Sequence, residues 1–312
     1  MTERAFSPSY LQAARTGLIS HRARSAREIL ACCSLCPRQC RVNRLDGELG
    51  VCRTAEKAAV SSYHPHFGEE SPLVGSLGSG TIFFTHCNLL CLFCQNFEIS
   101  HQAQGREVCS KSLAEMMLAL QNQGCHNINF VTPSHVVPQI LGALEIAVDR
   151  GLSVPLVYNC GGYDRVETLK LLDGIFDIYM PDFKFWSSEI AREACAAPDY
   201  PEVARNALLE MHRQVGDLVL DERGVACRGL LIRHLVLPGG RAGTREVARY
   251  IAREISPNSY VNIMAQYRPY GRAFELDGLS VPLSAADYER AVRAAVEEGV
   301  TRLDDRRRRF FL

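Results

Sequence analysis

The sequence has no excess of charge of either sign and no long apolar run. Lysine plus arginine and aspartate plus glutamate number 35 each, so no overall positive field attracts nucleic acid or an anionic membrane surface. No stretch reaches the roughly 18 uninterrupted apolar residues of a membrane span, and the first residues lack the apolar segment of a signal peptide. We therefore expect a cytoplasmic protein without nucleic-acid or membrane partners.

The sequence also lacks any tract of low complexity. Hydrophobic residues make up 47% of the 312 positions, which is enough to bury a full core. We expect an N-terminal helix and cysteine-rich segment over residues 1–75, a core domain over 76–300 and a tail over 301–312. Within that tail, Arg306 to Arg309 are predicted to be solvated.

Cysteine, in contrast, is abundant. The chain has 13 cysteines, an odd number with an uneven distribution, which argues against the disulfide framework of a small secreted domain. Clustered thiols in a reducing compartment usually bind metal, and eight of the 13 lie between Cys32 and Cys94. The five scattered cysteines are predicted to be small buried apolar residues: Cys109, Cys125, Cys160, Cys195 and Cys227.

Short apolar runs alternate with amphipathic stretches from residue 81 onwards. Six runs predict strands, over residues 81–85, 127–132, 154–159, 176–183, 230–237 and 260–267. Helical stretches between them predict a parallel sheet with right-handed crossovers. We expect an α/β fold, specifically a partial (β/α)6 TIM-type barrel. Each run ends in a polar or glycine-rich cluster, which places the site at the carboxyl ends of the strands.

Three cysteines, Cys87, Cys91 and Cys94, lie on one predicted loop after the first strand. A closed structural site takes four protein ligands, whereas a catalytic metal site leaves one position open. Three thiolates would leave one iron of a [4Fe-4S] cluster without a protein ligand. His86 and Cys160 remain candidates for a fourth ligand.

A second set of cysteines lies near the N-terminus. Its members are Cys33, Cys36, Cys40 and Cys52, within twenty residues that include Gly47 and Gly50. This set predicts a second metal site, either zinc or iron-sulfur, and the spacing does not decide between them. Zinc would stabilise a short segment without its own core, and iron-sulfur would relay an electron or bind a substrate. Cys32 is predicted to have no role.

The stretch CNLLCLFC resembles the three-cysteine motif of the radical S-adenosylmethionine superfamily. From about Cys33 to Pro269 the chain resembles, more closely, an uncharacterised branch related to pyruvate formate-lyase activating enzymes. The segments that carry this resemblance are CSLCPRQCRVNR, GELGVC, HFGEESPLVGSLGSGTIFF, CQNFEIS, VTPSHVVPQIL, YNCGGYD, YMPDFK, RHLVLPGG and NIMAQYRP. The resemblance implies that Cys87, Cys91 and Cys94 bind a [4Fe-4S] cluster, that S-adenosylmethionine occupies its fourth iron, and that Phe93 packs near the adenine.

The resemblance also implies an activity. The reduced cluster would cleave S-adenosylmethionine to a 5'-deoxyadenosyl radical that abstracts hydrogen from a protein or peptide, as in glycyl-radical activation, with flavodoxin or ferredoxin as electron donor. Within the enzyme class, the alternatives are a small-molecule mutase and a methylation or sulfur-insertion enzyme. A non-catalytic iron-sulfur carrier or scaffold is the alternative outside it. A carrier would be expected to close the open iron with a fourth cysteine near Cys94, and the sequence has none there.

The chain departs from typical activating enzymes after the second predicted strand. In place of a Gly-Gly-Glu-like motif, which contacts the amino group of the cofactor, it has Thr132, Pro133, Ser134 and His135. Thr132 and Ser134 are predicted to accept those hydrogen bonds. His135 is predicted either to contact the cofactor or to be a structural histidine.

Later strand ends supply further predicted cofactor residues. Asn159 precedes two glycines that let a ligand approach the backbone. Asp182 and Lys184 lie on the same side of an extended chain, so they either bind ribose hydroxyls or a substrate carboxylate, or pair with each other. Arg268 is a candidate for binding an anionic group, and His234 is predicted to be a hydrogen-bonded core residue.

Overall fold

A mixed β-sheet organises the chain in the computed structural model, which describes residues 6–304. The predicted solvated run Arg306 to Arg309 lies outside the described residues. The strands are β1 (Ala58–His66), β2 (Ser79–Phe84), β3 (Arg106–Val108), β4 (Ile128–Val131), β5 (Leu156–Cys160), β6 (Ile178–Pro181), β7 (Val219–Leu220), β8 (Ala226–Leu235), β9 (Tyr260–Met264) and β10 (Arg302–Leu303).

The α-helices alternate with these strands. They are α1 (Ser9–Arg15), α2 (Leu18–Glu28), α3 (Ser71–Val74), α4 (Phe97–Ser100), α5 (Ser110–Asn122), α6 (Val137–Asp149), α7 (Val166–Lys170), α8 (Ser188–Cys195), α9 (Tyr200–Val215), α10 (Thr244–Tyr250) and α11 (Ala285–Glu297). Helix α10 continues into a π-helical turn over Ile251–Ile255. Within residues 6–304, no helix combines the length and the hydropathy needed to cross a membrane.

The sheet has the strand order β10-β9-β8-β6-β5-β4-β2-β1-β3, and β7 pairs with β8 outside this path. Strands β2, β4, β5, β6, β8 and β9 run parallel in chain order and correspond to the six predicted runs. The predicted α/β class is therefore confirmed. Strands β1 and β3 add an antiparallel edge that the sequence analysis missed, and β1 lies within the predicted N-terminal segment. The partial barrel stays a prediction.

The two faces of the sheet differ in what covers them. One face contributes Phe84, Phe130 and Tyr158 to the main core, which the helices complete. On the opposite face, which we call the inner face, Val157, Ile178 and Leu231 pack with Leu73 of α3. Because side chains alternate along a strand, residues paired in parallel register project from the same face.

Further along the strands the inner face becomes polar. Asn159 is in register with Met180, Arg233 is in register with Asn262, and Asp182 forms a bridge with Arg233. The carboxyl ends of four neighbouring strands therefore present amide and charged side chains side by side. In α/β folds this end is where ligands bind.

The N-terminal helices are held against the sheet by buried polar contacts. Asp177, just before β6, accepts hydrogen bonds from the backbone N–H of Ser9 (2.8 Å) and of Leu156 (3.2 Å). Burial raises the pKa of this carboxyl to about 6. The Tyr10 hydroxyl donates to the carbonyl oxygen of Val154 at 2.8 Å. These contacts fix α1 over the amino ends of β5 and β6.

Candidate functional site

The loop between β2 and α4, residues 85–96, gathers the three predicted cluster cysteines. His86 and Leu90 adopt left-handed backbone conformations, with φ of 73° and 57°, and these fold the loop back on itself. Burial, and then the neighbouring Cys91, raises the pKa of Cys87 to about 12. Burial and Cys91 likewise raise the pKa of Cys94. The loop thus keeps three thiols close together in a poorly solvated position.

The surroundings of this loop suit bound thiolates. The Leu89 N–H donates to Cys87 Sγ at 3.3 Å. Ser100 and the backbone of Asn96 partly offset the effect of burial on the pKa of Cys94 and so favour its ionised form. Such donors around sulfur are the usual environment of iron-sulfur ligands. The donor set therefore fits a cluster, although no three or more histidine, cysteine or acidic side chains in residues 6–304 are arranged to hold a single metal ion as they stand.

A further thiol, which the sequence analysis treated as a plain core residue, lies against this loop. Cys195, the last residue of α8, is 4% exposed, and its sulfur is 3.2 Å from Cys91 Sγ. Of the two fourth-ligand candidates, His86 is partly exposed and Cys160 lies buried beside Asp164. No sequence pattern indicates the contact, because 104 residues separate the two cysteines.

Phe93, within the cysteine loop, is 3% exposed. Its ring meets the rings of Phe185 and Tyr267 edge-on, at centroid distances of 5.9 and 5.8 Å. These rings form an apolar wall on one side of the loop. The adenine contact implied by the resemblance stays a prediction.

A network of charges lies beside the cysteine loop on the inner face. Arg233 Nε donates to Asp182 at 2.7 Å, and Arg233 Nη2 donates to Asn159 Oδ1 at 2.7 Å. Lys184 forms an ion pair with Asp182. Asp182 and Lys184, which were both predicted to bind the cofactor, therefore pair with each other, and Arg233 also pairs with Asp182. Arg233 was not among the predicted site residues, although its neighbour His234 was singled out as a core residue.

Two carboxylates from the segment before α3 complete this network. Arg233 Nη1 lies 3.8 Å from Glu69 and 4.0 Å from Glu70, and Asn262 Nδ2 donates to Glu70 Oε1 at 2.8 Å. Glu69 and Glu70 are 7% and 3% exposed. The sequence gives one signal for them, the adjacent pair of acids in HFGEE, but nothing that places them beside β8 and β9.

Some buried polar atoms of the inner face have no hydrogen-bond partner within residues 6–304. Burial opposes the charged forms of both Asp182 and Lys184. The charge of Arg233, and then that of Lys184, outweighs burial and lowers the pKa of Asp182. The charge of Asp182 outweighs burial and raises the pKa of Lys184. Three carboxylates then face two cations. Glu70 Oε2 and both amide atoms of the fully buried Asn129, on β4, have no hydrogen-bond partner. Buried polar atoms are normally paired, so we expect a water, an ion or part of a ligand beside them.

Gly161 and Gly162 bring the cysteine loop and the charge network together. A side chain on Gly161 would touch Leu89 of the loop and Lys184 of the network. A Cβ on Gly162, whose φ is 74°, would lie 2.3 Å from the Asp182 carbonyl oxygen. Glycine is therefore required where β5 ends.

The residues that follow β4, from Thr132 to His135, have different surroundings. His135 Nε2 lies 3.0 Å from the Thr85 carbonyl oxygen, while its Nδ1 is buried without a partner. Burial, and then Arg44, lowers its pKa to about 3. Burial raises the pKa of Asp164, and the neighbouring Ser134 partly offsets this. Thr132 holds a φ of 61°, which is unusual for a β-branched residue and is the kind of strain found at functional sites.

The N-terminal cysteines share one small cavity. Cys33, Cys36, Cys40, Cys52 and His135 line this space of about 10 Å³. Two of the sulfurs have N–H donors: Arg44 Nη1 lies 3.9 Å from Cys33 Sγ, and Val51 N lies 3.4 Å from Cys40 Sγ. Burial raises the pKa of Cys36 and of Cys52, and the backbone of Arg38 and of Thr54 partly offsets it. This arrangement fits metal-bound thiolates. It places His135 beside the second predicted site, and Cys32 is exposed.

His234 behaves as the structural histidine that the sequence analysis expected. Its Nδ1 is 2.6 Å from the Phe183 carbonyl oxygen, and its Nε2 is 2.9 Å from Thr244 Oγ1. Burial lowers the pKa of His234 to about 4, below the value of about 6.5 for an unfolded histidine. Between these values only the unfolded chain binds the proton, so stability is lost as pH falls from 6.5 towards 4.

We therefore expect the proton uptake of His234 in the unfolded chain to make the free energy of unfolding about 2 kcal/mol lower at pH 5 than at pH 7. In a His234→Gln variant that part of the pH dependence disappears. Urea unfolding at pH 5, 6 and 7 measures it, with the exposed His21→Gln variant as control. An unchanged pH slope in His234→Gln would mean that His234 has the same pKa in the folded and the unfolded chain, and would overturn this prediction.

The fold and the site define an α/β protein with a three-cysteine loop at the carboxyl end of its parallel sheet. The chain is 30% identical over 292 residues to the uncharacterized protein MJ0674 of Methanocaldococcus jannaschii, covering 91% of this chain and 80% of that protein. It belongs to the same family as that protein. No protein-family model matches the sequence.

A solved structure gives a weaker similarity. It is the cobalamin-dependent S-adenosylmethionine radical enzyme OxsB, with aqua-cobalamin and S-adenosylmethionine bound. The TM-score is 0.39 at 13% identity, over 71% of this chain, which spans 36% of the length of OxsB. A match of this strength does not support an argument about function.

Proposed function

We propose that this chain is a radical S-adenosylmethionine enzyme of the branch related to pyruvate formate-lyase activating enzymes, and that it acts on a protein or peptide. The observation that carries the proposal is the loop of Cys87, Cys91 and Cys94, which has three gathered thiols beside a polar, incompletely satisfied inner face. A site that only stored an electron would need no such neighbouring network.

In this proposal Cys87, Cys91 and Cys94 hold a [4Fe-4S] cluster. Bound together, the cluster and S-adenosylmethionine supply a 5'-deoxyadenosyl radical that abstracts hydrogen from the substrate. Lys184 would bind a carboxylate, since its side chain and Leu89 of the loop both lie against Gly161. Asp182 and Asn159 would accept hydrogen bonds from hydroxyl or amino groups of the cofactor. Thr132, Ser134 and His135 follow the end of the neighbouring strand, β4.

The protein also protects the site. Phe93 and the rings of Phe185 and Tyr267 exclude water from one side of the loop. The side chains of Arg233, Glu69 and Glu70 form the deeper wall of the inner face, where the substrate would lie. A flavodoxin or ferredoxin would supply the electron to the cluster. The N-terminal cysteines would bind a second metal, either a zinc ion or an iron-sulfur cluster.

A non-catalytic carrier is the alternative that one observation favours, since Cys195 is a fourth thiol beside the loop. The ligands of one cube each hold a different iron, so their sulfurs stand apart at separate corners. A sulfur 3.2 Å from Cys91 Sγ is too close to serve the open iron as the structure stands. The contact therefore supports a hydrogen bond to Cys91 and leaves the enzyme as the proposal.

An anaerobic reconstitution tests the function. We expect wild-type protein loaded with iron and sulfide to form 5'-deoxyadenosine from S-adenosylmethionine and dithionite, and its electron paramagnetic resonance spectrum to change on adding S-adenosylmethionine. The Cys87→Ala/Cys91→Ala/Cys94→Ala variant should give no product and retain only the metal of the N-terminal site. A reduced cluster that neither responds to S-adenosylmethionine nor yields product would reject the enzyme and favour the carrier.

A further inference from the structure

We propose that the Cys195 thiol donates a hydrogen bond to the sulfur of Cys91 and thereby raises the reduction potential of the cluster that this loop holds. The inference rests on the proposed function and adds a residue from a distant helix to its site. Cys195 would be a positioning and tuning residue, not a ligand.

The geometry of the contact is fixed from three directions. The two sulfurs are 3.2 Å apart, and Cys195 and Cys91 are only 4% and 8% exposed, so water does not compete for the bond. The backbone N–H of Leu92 donates to the Ala194 carbonyl oxygen at 2.9 Å, which ties the end of α8 to the cysteine loop. Arg38 Nη2 donates to the carbonyl oxygen of Cys195 at 2.7 Å. These contacts therefore hold the Cys195 thiol next to the sulfur of Cys91.

The effect on the potential follows from charge. When a cluster takes up an electron, its negative charge rises, and part of that charge resides on the ligand sulfurs. A donor pointing at a ligand sulfur stabilises the reduced form more than the oxidised form. Lys184 and Asp182 also act on Cys91, but in opposite directions: the charge of Lys184 lowers the pKa of Cys91 and that of Asp182 raises it. This leaves the Cys195 thiol as a directed donor to that sulfur.

Potentiometric titration of the reconstituted protein, followed by electron paramagnetic resonance, tests this inference. We expect Cys195→Ala to shift the midpoint to a more negative value, with a reduced-to-oxidised ratio about 3- to 10-fold lower at a fixed potential; a tenfold change corresponds to about 59 mV for one electron. Cys195→Ser keeps a donor and should remain closer to wild type. Cys125→Ala removes another thiol that is 2% exposed and serves as the control.

A second measurement needs no cluster. Diamide oxidation of the metal-free protein, followed by peptide mapping, should link Cys91 to Cys195 in the wild type. Diamide accepts the two electrons and two protons that the thiols lose as the S–S bond forms. Absence of that link would overturn the geometry, independently of the proposed function.

The remaining outcomes separate the two hypotheses. An unchanged midpoint in Cys195→Ala, with the cluster intact, would overturn the tuning role and leave the enzyme standing. Loss of cluster iron from Cys195→Ala, together with a wild-type cluster that ignores S-adenosylmethionine, would make Cys195 a ligand and overturn both. A normal response to S-adenosylmethionine with a shifted midpoint supports both.

Discussion

Replacing Arg233 by methionine is expected to lower the free energy of unfolding by about 3 to 5 kcal/mol. The guanidinium contacts Asp182 at 2.7 Å, Asn159 at 2.7 Å, and Glu69 and Glu70 at 3.8 and 4.0 Å. Its loss leaves three buried carboxylates with Lys184 as the remaining cation of the network. Removing one partner of a buried ion pair costs far more than the pair contributes, because the remaining charge stays desolvated.

The size of this effect should depend on pH. In the folded variant, burial raises the pKa of Asp182 and the largest opposing charge, that of Arg233, is gone, so we expect this buried site to bind protons more readily than the unfolded chain does. It takes up protons as pH falls from 7 towards 4.5, so the difference from wild type should shrink over that range. Urea unfolding at pH 7 and pH 5 measures both parts of the prediction.

Arg228→Met provides a matched control on the same strand. Arg228 is exposed, and its side chain donates to the Gln214 carbonyl oxygen at 2.7 Å. We expect a loss below about 1.5 kcal/mol there, since one hydrogen bond at the surface is removed. Equal losses in the two variants would mean that the network is solvated and that its carboxylates do not depend on Arg233.

The parallel part of the fold was predictable from the sequence because its signals are local. Each of the six parallel strands is an apolar run followed by a polar or glycine-rich cluster, and both features lie within about ten residues of one another. Strand β1 was missed for a physical reason: Pro65 and two histidines interrupt it, and it is only partly buried. Its pairing with β2 outweighs its weak strand propensity.

The site was predictable where one loop contains it and not where several elements meet. Cys87, Cys91 and Cys94 lie within eight positions, so their spacing indicates their chemistry. In contrast, 192 residues separate Glu70 from Asn262, and no periodicity links them. The same holds for Cys195, whose sequence neighbours carry no metal-binding pattern. Contacts of this kind become visible only when the strand order is known.

Replacing Arg38 by alanine is expected to separate the N-terminal cysteine segment from the cluster loop. Arg38 lies between Cys36 and Cys40, and its guanidinium lies over the Tyr163 ring at 5.3 Å. It donates to four carbonyl oxygens, those of Asn88, Leu89, Cys195 and Ala196, at 2.6 to 3.3 Å. One side chain therefore joins the N-terminal segment, the cysteine loop and the end of α8.

We expect Arg38→Ala to lose about 2 to 3 kcal/mol of stability, because charge-assisted hydrogen bonds are lost and the carbonyls become partly unpaired. Iron retained by Cys87, Cys91 and Cys94 after gel filtration should fall as well, since the loop loses its anchor to α8. Lysine presents a point charge and not a planar fork, so Arg38→Lys should recover only part of both losses. The exposed Arg41→Ala variant, three residues away, is the control. If Arg38→Ala lost stability but kept its iron and its Cys91–Cys195 link on oxidation, the anchor would serve the fold alone, and the cysteine loop would hold its own geometry.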